Sequence, residues 1–342
     1  MATVNIKPKQ VSKKILSVLQ DRAHDVVVSR FGLTPDAERK TLEAIGKKYG
    51  ITRERVRQIE NAALTTIRKS DVYAAENEAF EELKKALLSL GSIVAEEELL
   101  SSLAKDDEMK NHFHFYLVLG DAFKKHAEDD EFHTRWTIDE SISNEVHSAL
   151  KKLYGTLAND ELVPEAEIIT RFLEELKNVN DEYCNEEIAR RWLGMSKAIK
   201  SNPLNEWGVA ESPNVKTRGI KDYAYLIMRK HGNPMHFREV AKSIETTFGK
   251  KTHIATTHNE LIKDARFVLV GRGTYGLAEW GYKPGVVKEV IKEILKKNGP
   301  MSKEDIVDKV LKERFLKKNT ILVNLQNAKY FKKNKQGLYT TV

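Results

Sequence analysis

Between Gly50 and Leu64 the chain reads GITRERVRQIENAAL, and Arg53, Glu54, Arg55, Arg57 and Gln58 all fall within six consecutive positions. Residues of these types suit recognition of a base pair rather than transformation of a substrate. Arginine can bond guanine O6 and N7 with two donors, glutamine can do the same for adenine, and glutamate accepts from cytosine N4. Each well-made pair is worth roughly 1–3 kcal/mol of discrimination between bases. The same residues on an ordinary solvated helix would only pair among themselves, Glu54 with Arg57 for example. The elements around them therefore decide the reading.

Those elements spell two helices about a tight turn. In TLEAIGKKYG, Leu42, Ile45 and Tyr49 fall on one helical face. Gly46 leaves room for a crossing helix, and Gly50 stands where the chain must reverse, in the left-handed conformation that glycine adopts cheaply. Thr52 is placed to cap the second helix, and Glu54 suits the positive end of its dipole. Val56, Ile59, Ala63 and Ile67 supply an apolar stripe, which leaves Arg53, Glu54, Arg57, Gln58 and Asn61 facing away from it. This is a helix-turn-helix with the first half of its second helix turned outward.

From Asp25 to Ser70 the sequence DVVVSRFGLTPDAERKTLEAIGKKYGITRERVRQIENAALTTIRKS closely resembles region 4 of bacterial sigma-70 factors, which reads the −35 promoter element. The resemblance implies that Arg53, Glu54 and Gln58 touch base edges. It implies that Arg30, Thr41, Leu42, Arg55 and Arg57 lie on or near phosphates, and that the domain docks on the flap of the RNA polymerase beta subunit. Two positions depart from the family: Ala44 stands where an acid is common, and Ala62 replaces a lysine used for activator contact. About 25 residues precede the motif, too few for the sigma regions that bind the polymerase clamp and melt the −10 element. The expectation is a reading head attached to something else.

The rest of the chain is organised by charge and repetition. Residues 1–70 hold 15 Lys and Arg against 7 Asp and Glu, residues 71–213 hold 15 against 31, and residues 214–342 hold 27 against 12. Two basic ends around an acidic middle point to a polyanion met by the ends. Amphipathic helices break at Gly91, Gly155, Gly232 and Gly299, and each is followed by a second helix and an aromatic-rich close: HTRWTID, LNEWGVAE, GTYGLAEW and GLYTTV. The spacings of 64, 77 and 67 residues exceed those of a solenoid and fit an array of small domains.

The expected fold class is mainly α, a helix-turn-helix head over 1–72 followed by tandem winged helices with short β-hairpins. Their expected spans are 75–138, 141–212, 214–282 and 284–342, with Pro213 and Pro284-Gly285 at the joints. Residues 223–282, YAYLIMRKHGNPMHFREVAKSI through GRGTYGLAEWGY, resemble the HARE-type winged helix, a family that includes the N-terminal domain of the RNA polymerase delta subunit. That resemblance implies contact with DNA or with the transcription machinery. In the last unit Asn319 is expected to cap a third helix, with an exposed Asn324 and with Lys332, Lys333 and Lys335 of the wing available to phosphates.

Other signals carry less. GRGTYG, Gly271 to Gly276, has dinucleotide-site spacing, but LAEWGYKPG after it makes a poor helix, so the glycines suit a hairpin turn. His112, His114, His126 and His133 read as structural or solvated, with Phe113 and Phe115 in the core. The acidic run EDDEFH reads as a solvated turn. Cys184 is the single cysteine, so no internal disulfide forms. No apolar run reaches membrane-span length, and no secretory leader is evident. The expectation is a cytoplasmic, nucleoid-associated protein without enzymatic activity, metal or small-molecule cofactor. Its expected work is sequence-specific DNA binding at promoters with RNA polymerase. The alternatives are a polymerase accessory that docks through its winged helices, and a non-catalytic subunit of a DNA-modification system.

Overall fold

A computed structural model describes residues 6–176, 179–282, 287–313 and 318–342. The expected joint at Pro284-Gly285 lies outside the described residues. The chain forms two compact units, one running up to Ser201 with Glu206–Ala210, the other made of Asn202–Asn205 with Glu211–Val342.

The first unit opens with α1 (Pro8–Leu16), α2 (Asp21–Phe31), α3 (Leu42–Tyr49) and α4 (Arg53–Arg68). Local chemistry sets their limits. The Thr41 hydroxyl accepts from the Ala44 amide at 3.1 Å and starts α3, and Thr52 accepts from the Arg55 amide at 3.2 Å and starts α4. Between them Gly50 takes φ +64°, the left-handed cap that ends α3. Val26, Ile45 and Val56 close a small core among α2, α3 and α4, with Leu42, Tyr49, Ile51 and Ile59 packed around it.

A short α5 (Asp71–Ala75) leads into a pattern that occurs four times: helix, strand, helix, helix, strand, strand. Its first instance is α6 (Asn77–Ser89), β1 (Ile93–Ala95), α7 (Glu96–Leu103), α8 (Asp107–Leu119), β2 (Lys124–His126) and β3 (Arg135–Thr137). The second is α9 (Glu140–Thr156), β4 (Val163–Pro164), α10 (Glu165–Glu175), α11 (Glu186–Met195), β5 (Ile199–Ser201) and β6 (Glu206–Val209). In both sheets the last strand lies between the other two, in the orders β1-β3-β2 and β4-β6-β5, with all pairs antiparallel. This is winged-helix topology, and the aromatic-rich closes contribute the central strand: Trp136 sits in β3 and Trp207 in β6.

The second unit repeats the pattern with α12 (Ile220–His231), β7 (Met235–His236), α13 (Phe237–Phe248), α14 (Ile254–Lys263), β8 (Phe267–Gly271) and β9 (Thr274–Leu277), in sheet order β7-β9-β8. The last instance is α15 (Val287–Asn298), α16 (Lys303–Glu313), α17 (Lys318–Leu325), β10 (Phe331–Lys333) and β11 (Tyr339–Thr341). There the first strand shrinks to a single bridge, Met301 with Tyr339. Asn319 lies one residue inside α17 rather than at its cap. Its core, from Val290 and Ile291 through Ile306 and Val310 to Ile321 and Phe331, is contained within this one instance.

Candidate nucleic-acid interface

α4 is two-faced along its length. Val56 and Ile67 are fully buried and Ala63 nearly so, whereas Arg53, Glu54, Arg55, Arg57, Gln58 and Asn61 are exposed. The exposed set is ordered before any ligand arrives. Arg57 Nε and Nη2 donate to the two carboxylate oxygens of Glu54 at 2.9 and 2.7 Å, and Arg55 Nη1 donates to Gln58 Oε1 at 3.0 Å. The bond from Arg57 holds the Glu54 carboxyl below its ordinary range, so it remains an ionised acceptor. Exposed pairs of this kind are weak, so a groove can exchange them for base and phosphate contacts at little cost.

The residues expected on phosphates divide. Arg55, Arg57 and Thr41 are exposed. Leu42 is half-buried against the small head core, so its free contribution is the backbone amide at the first turn of α3. Arg30 is half-buried too: its Nη1 donates to the Lys40 carbonyl at 3.2 Å, and its Nε lies 3.7 Å from Glu60. Arg30 thus braces the segment that leads into α3 rather than standing open to solvent.

What mounts α4 lies some fifty residues further on. α8, read in sequence as DEMKNHFHFYLVL, packs into the side of the head formed by α1, α2 and α4. Val11, Ile15, Val27, Phe31, Leu64 and Ile67 from the head share one core with Phe80, Leu83, Phe113, Phe115, Tyr116 and Trp136. Polar bonds fix the register of this contact. Asn111 Nδ2 donates to the Gly32 and Ala37 carbonyls at 3.0 and 2.9 Å, and Asn111 Oδ1 accepts from Arg39 Nε at 2.6 Å. At the other end of α8, Arg68 donates to the Val118 and Leu119 carbonyls at 2.7 and 2.9 Å, satisfying acceptors that a helix C-terminus leaves open.

Asn111, Arg39 and Arg68 were not singled out from the sequence, because each finds its partner 50 to 79 residues away. The one usable signal was the apolar run of α8 itself, since a helix apolar on all sides must be enclosed on all sides. The histidines near it are held by protein groups: His112 bonds Ser12 Oγ at 2.7 Å, His114 lies 3.6 Å from Glu96, and His126 lies 3.2 Å from Glu140. In the acidic run, Asp129 accepts from the Glu131 and Phe132 amides and closes a turn. GRGTYG forms the β8–β9 hairpin, with Gly271 opposite Thr274.

In the last winged helix Lys332, Lys333 and Lys335 are exposed, on β10 and in the turn after it, and Lys333 Nζ lies 5.0 Å from the Tyr339 ring centre. Asn324 is half-buried, and its Nδ2 donates to the Thr320 carbonyl one turn back at 2.8 Å, so its amide is partly committed to its own helix.

Two family models match this chain. One describes sigma-70, region 4, and covers residues 15–69; the other describes the HARE-HTH, an ASXL and restriction endonuclease HTH domain, and covers residues 218–280. The first takes in α2, α3 and α4 whole, beginning ahead of the Asp25 start read from the sequence. The second runs from just before α12 through β9. The chain therefore joins a sigma-70 region 4-like helix-turn-helix to a HARE-type one, and both are domains of DNA-binding regulation.

Proposed function

We propose that the protein is a sequence-specific DNA-binding transcription regulator that acts at promoters together with RNA polymerase. One observation carries this reading: the N-terminal half of α4 presents Arg53, Glu54, Arg57 and Gln58 to solvent on a helix whose other side is closed by the head core. In this reading α4 enters the major groove, Arg53, Glu54 and Gln58 address base edges of a −35-like element, and Arg55, Arg57 and Thr41 ride on phosphates. Arg30 and Leu42 support this set from beneath. Lys332, Lys333 and Lys335, with Asn324 as a weaker contributor, add contacts from the last wing. The work is binding and not chemistry; no metal or cofactor enters it, and the setting is the nucleoid in the cytoplasm. Among the described residues no helix is long and apolar enough to cross a membrane.

Contact with polymerase, including the beta flap, belongs to the same proposal. The apolar side of the head that faces α8 is already filled, so a polymerase element would meet the head on its charged outer surface. Fluorescence anisotropy with a −35-like duplex and a scrambled duplex tests the reading. Binding should favour the −35-like sequence, and Arg53→Ala should reduce that preference by the worth of one base contact, about 1–3 kcal/mol. If four to six phosphates are engaged, log affinity should fall with log salt at a slope of about −4 to −5. Equal affinity for both duplexes would refute sequence reading. Polymerase capture that survives the Arg53→Ala, Gln58→Ala double variant, with no duplex preference in the parent, would make the protein a docking accessory.

A further inference from the structure

The third helix is the element a winged helix offers to a groove, and the four instances dispose of it differently. α8 is enclosed by the head. α11 is enclosed as well: Trp192 Nε1 donates to the Ile93 carbonyl of β1 at 3.1 Å, and Ile188 and Trp192 close over Gly91. In the second unit the corresponding helices face outward. α14 buries only Thr257 and Leu261, and α17 buries only Ile321 and Leu325.

Helical periodicity places Asn259 opposite the buried pair of α14, with Ala255 and Ile262 beside it, and places Val323 opposite the buried pair of α17, with Asn319 and Thr320 beside it. Ile262 is 61% exposed and Val323 is 66% exposed. Each face thus combines a side-chain amide with methyl groups. Neither has a carboxylate at its centre: Glu260 of α14 is half-buried at the edge, and α17 contains none. Asparagine can bond adenine N6 and N7 bidentately, and apolar side chains meet the thymine methyl. The surroundings are basic, since residues 214–342 hold 27 Lys and Arg against 12 Asp and Glu. Lys250 and Lys251 precede α14, Lys263 closes it, and Arg272 is exposed in the β8–β9 turn.

We propose that α14 and α17 are two further duplex-reading helices with a preference for A·T base pairs, and that the two acidic winged helices of the first unit contribute none. This extends the DNA-binding reading of the head to the second unit but does not depend on the head's own specificity. The full chain carrying Arg53→Ala and Gln58→Ala, which silences the head, is titrated by anisotropy against two duplexes of about 16 base pairs, one all A·T and one all G·C. The A·T duplex should bind about tenfold or more tighter. Adding Asn259→Ala should cut that preference by about tenfold, within the roughly 5- to 150-fold span of one bidentate contact. Ile262→Glu should weaken binding to both duplexes, and Glu187→Gln on the exposed side of α11 should change neither.

These positions are on the surface, so an unchanged melting temperature separates loss of contact from loss of fold. Equal affinity for the two duplexes, or full A·T preference after Asn259→Ala and Val323→Ala together, would overturn the proposal. If the parent prefers the −35-like duplex while the silenced chain binds no duplex, this proposal fails and the head reading stands. If the silenced chain prefers A·T while the parent ignores the −35-like sequence, the reverse holds. Capture of RNA polymerase that requires Ile262, with no duplex binding, would assign this face to a protein and likewise overturn it.

Discussion

Truncation of Phe115 in α8 should unfold the reading head along with the first winged helix. Phe115 is fully buried, and its ring meets Phe31 of α2 edge to face with centroids 5.1 Å apart. Phe115→Ala removes the ring from a core supplied by α1, α2, α4, α6 and α8, a change that costs about 4 kcal/mol including the aromatic pair. For a cooperative unit of about 150 to 250 residues that corresponds to a fall in melting temperature of roughly 8–16 °C. Calorimetry of the full chain measures the shift, and hydrogen exchange shows where it acts. Amides of α3 and α4 should lose protection in step with those of α6 and α8, although no residue of the head was altered. The reciprocal variant, Leu64→Ala on the head side of the same core, should deprotect α8. If α3 and α4 kept their parental exchange rates in Phe115→Ala, the shared core would be refuted as the mounting of the head.

Other perturbations test single features. A Cβ at Gly46 would stand 2.6 Å from the backbone carbonyl oxygen of Ile51, so Gly46→Ala must displace the turn. It should lower stability by about 1–3 kcal/mol, read by urea titration, and weaken binding to a −35-like duplex more than to a non-specific one. Lys335→Ala should weaken all duplexes alike and make the salt slope shallower by about 0.9. Burial lowers His114 to about 4, with Arg39 adding to the effect, and lowers His147 to about 4, with Arg135 adding to it. Both are neutral in the folded state and ionise more readily in the unfolded chain, near 6.5. Their contribution is intact above about pH 6.5 and is lost as pH falls toward 4. At pH 5 each should cost about 2 kcal/mol, seen as a lower urea midpoint for the first unit than at pH 7.5, and His147→Gln should flatten that dependence.

Much of the reading head was legible because its determinants are local. The caps at Thr41 and Thr52, the reversal at Gly50 and the stripe of Val56, Ala63 and Ile67 all act within one or two turns of chain. The repeated helix-glycine-helix signal was local as well, and the aromatic closes became the central strands of three small sheets because Trp136, Trp207 and Tyr275 alternate with residues of the opposite face. Gly46 was legible only in part. It does permit a close approach, but what approaches is the turn's own backbone at Ile51 and not a crossing helix. Arg30 and Asn324 were read as surface donors because residue type says nothing of a nearby carbonyl. Lys40 O and Thr320 O take part of their donor capacity.

What the pattern withheld was the use to which each third helix is put. NHFHFYLVL, IARRWLGM, IATTHNELIK and KNTILVNL all read as helices, and single-sequence periodicity cannot say what will cover a face. The difference lies in what remains after two buried positions are met. α14 and α17 keep polar and small side chains over the rest of the turn, so one core satisfies them. α8 buries residues around its whole circumference and therefore needs a second surface, which α1, α2 and α4 provide. That demand is what couples the groove-facing helix to the winged helix beneath it. A chain whose head had to swivel freely on its first winged helix would have no reason to carry Phe113, Phe115, Tyr116 and Leu117 on one helix, because each would be left in water whenever the head moved away.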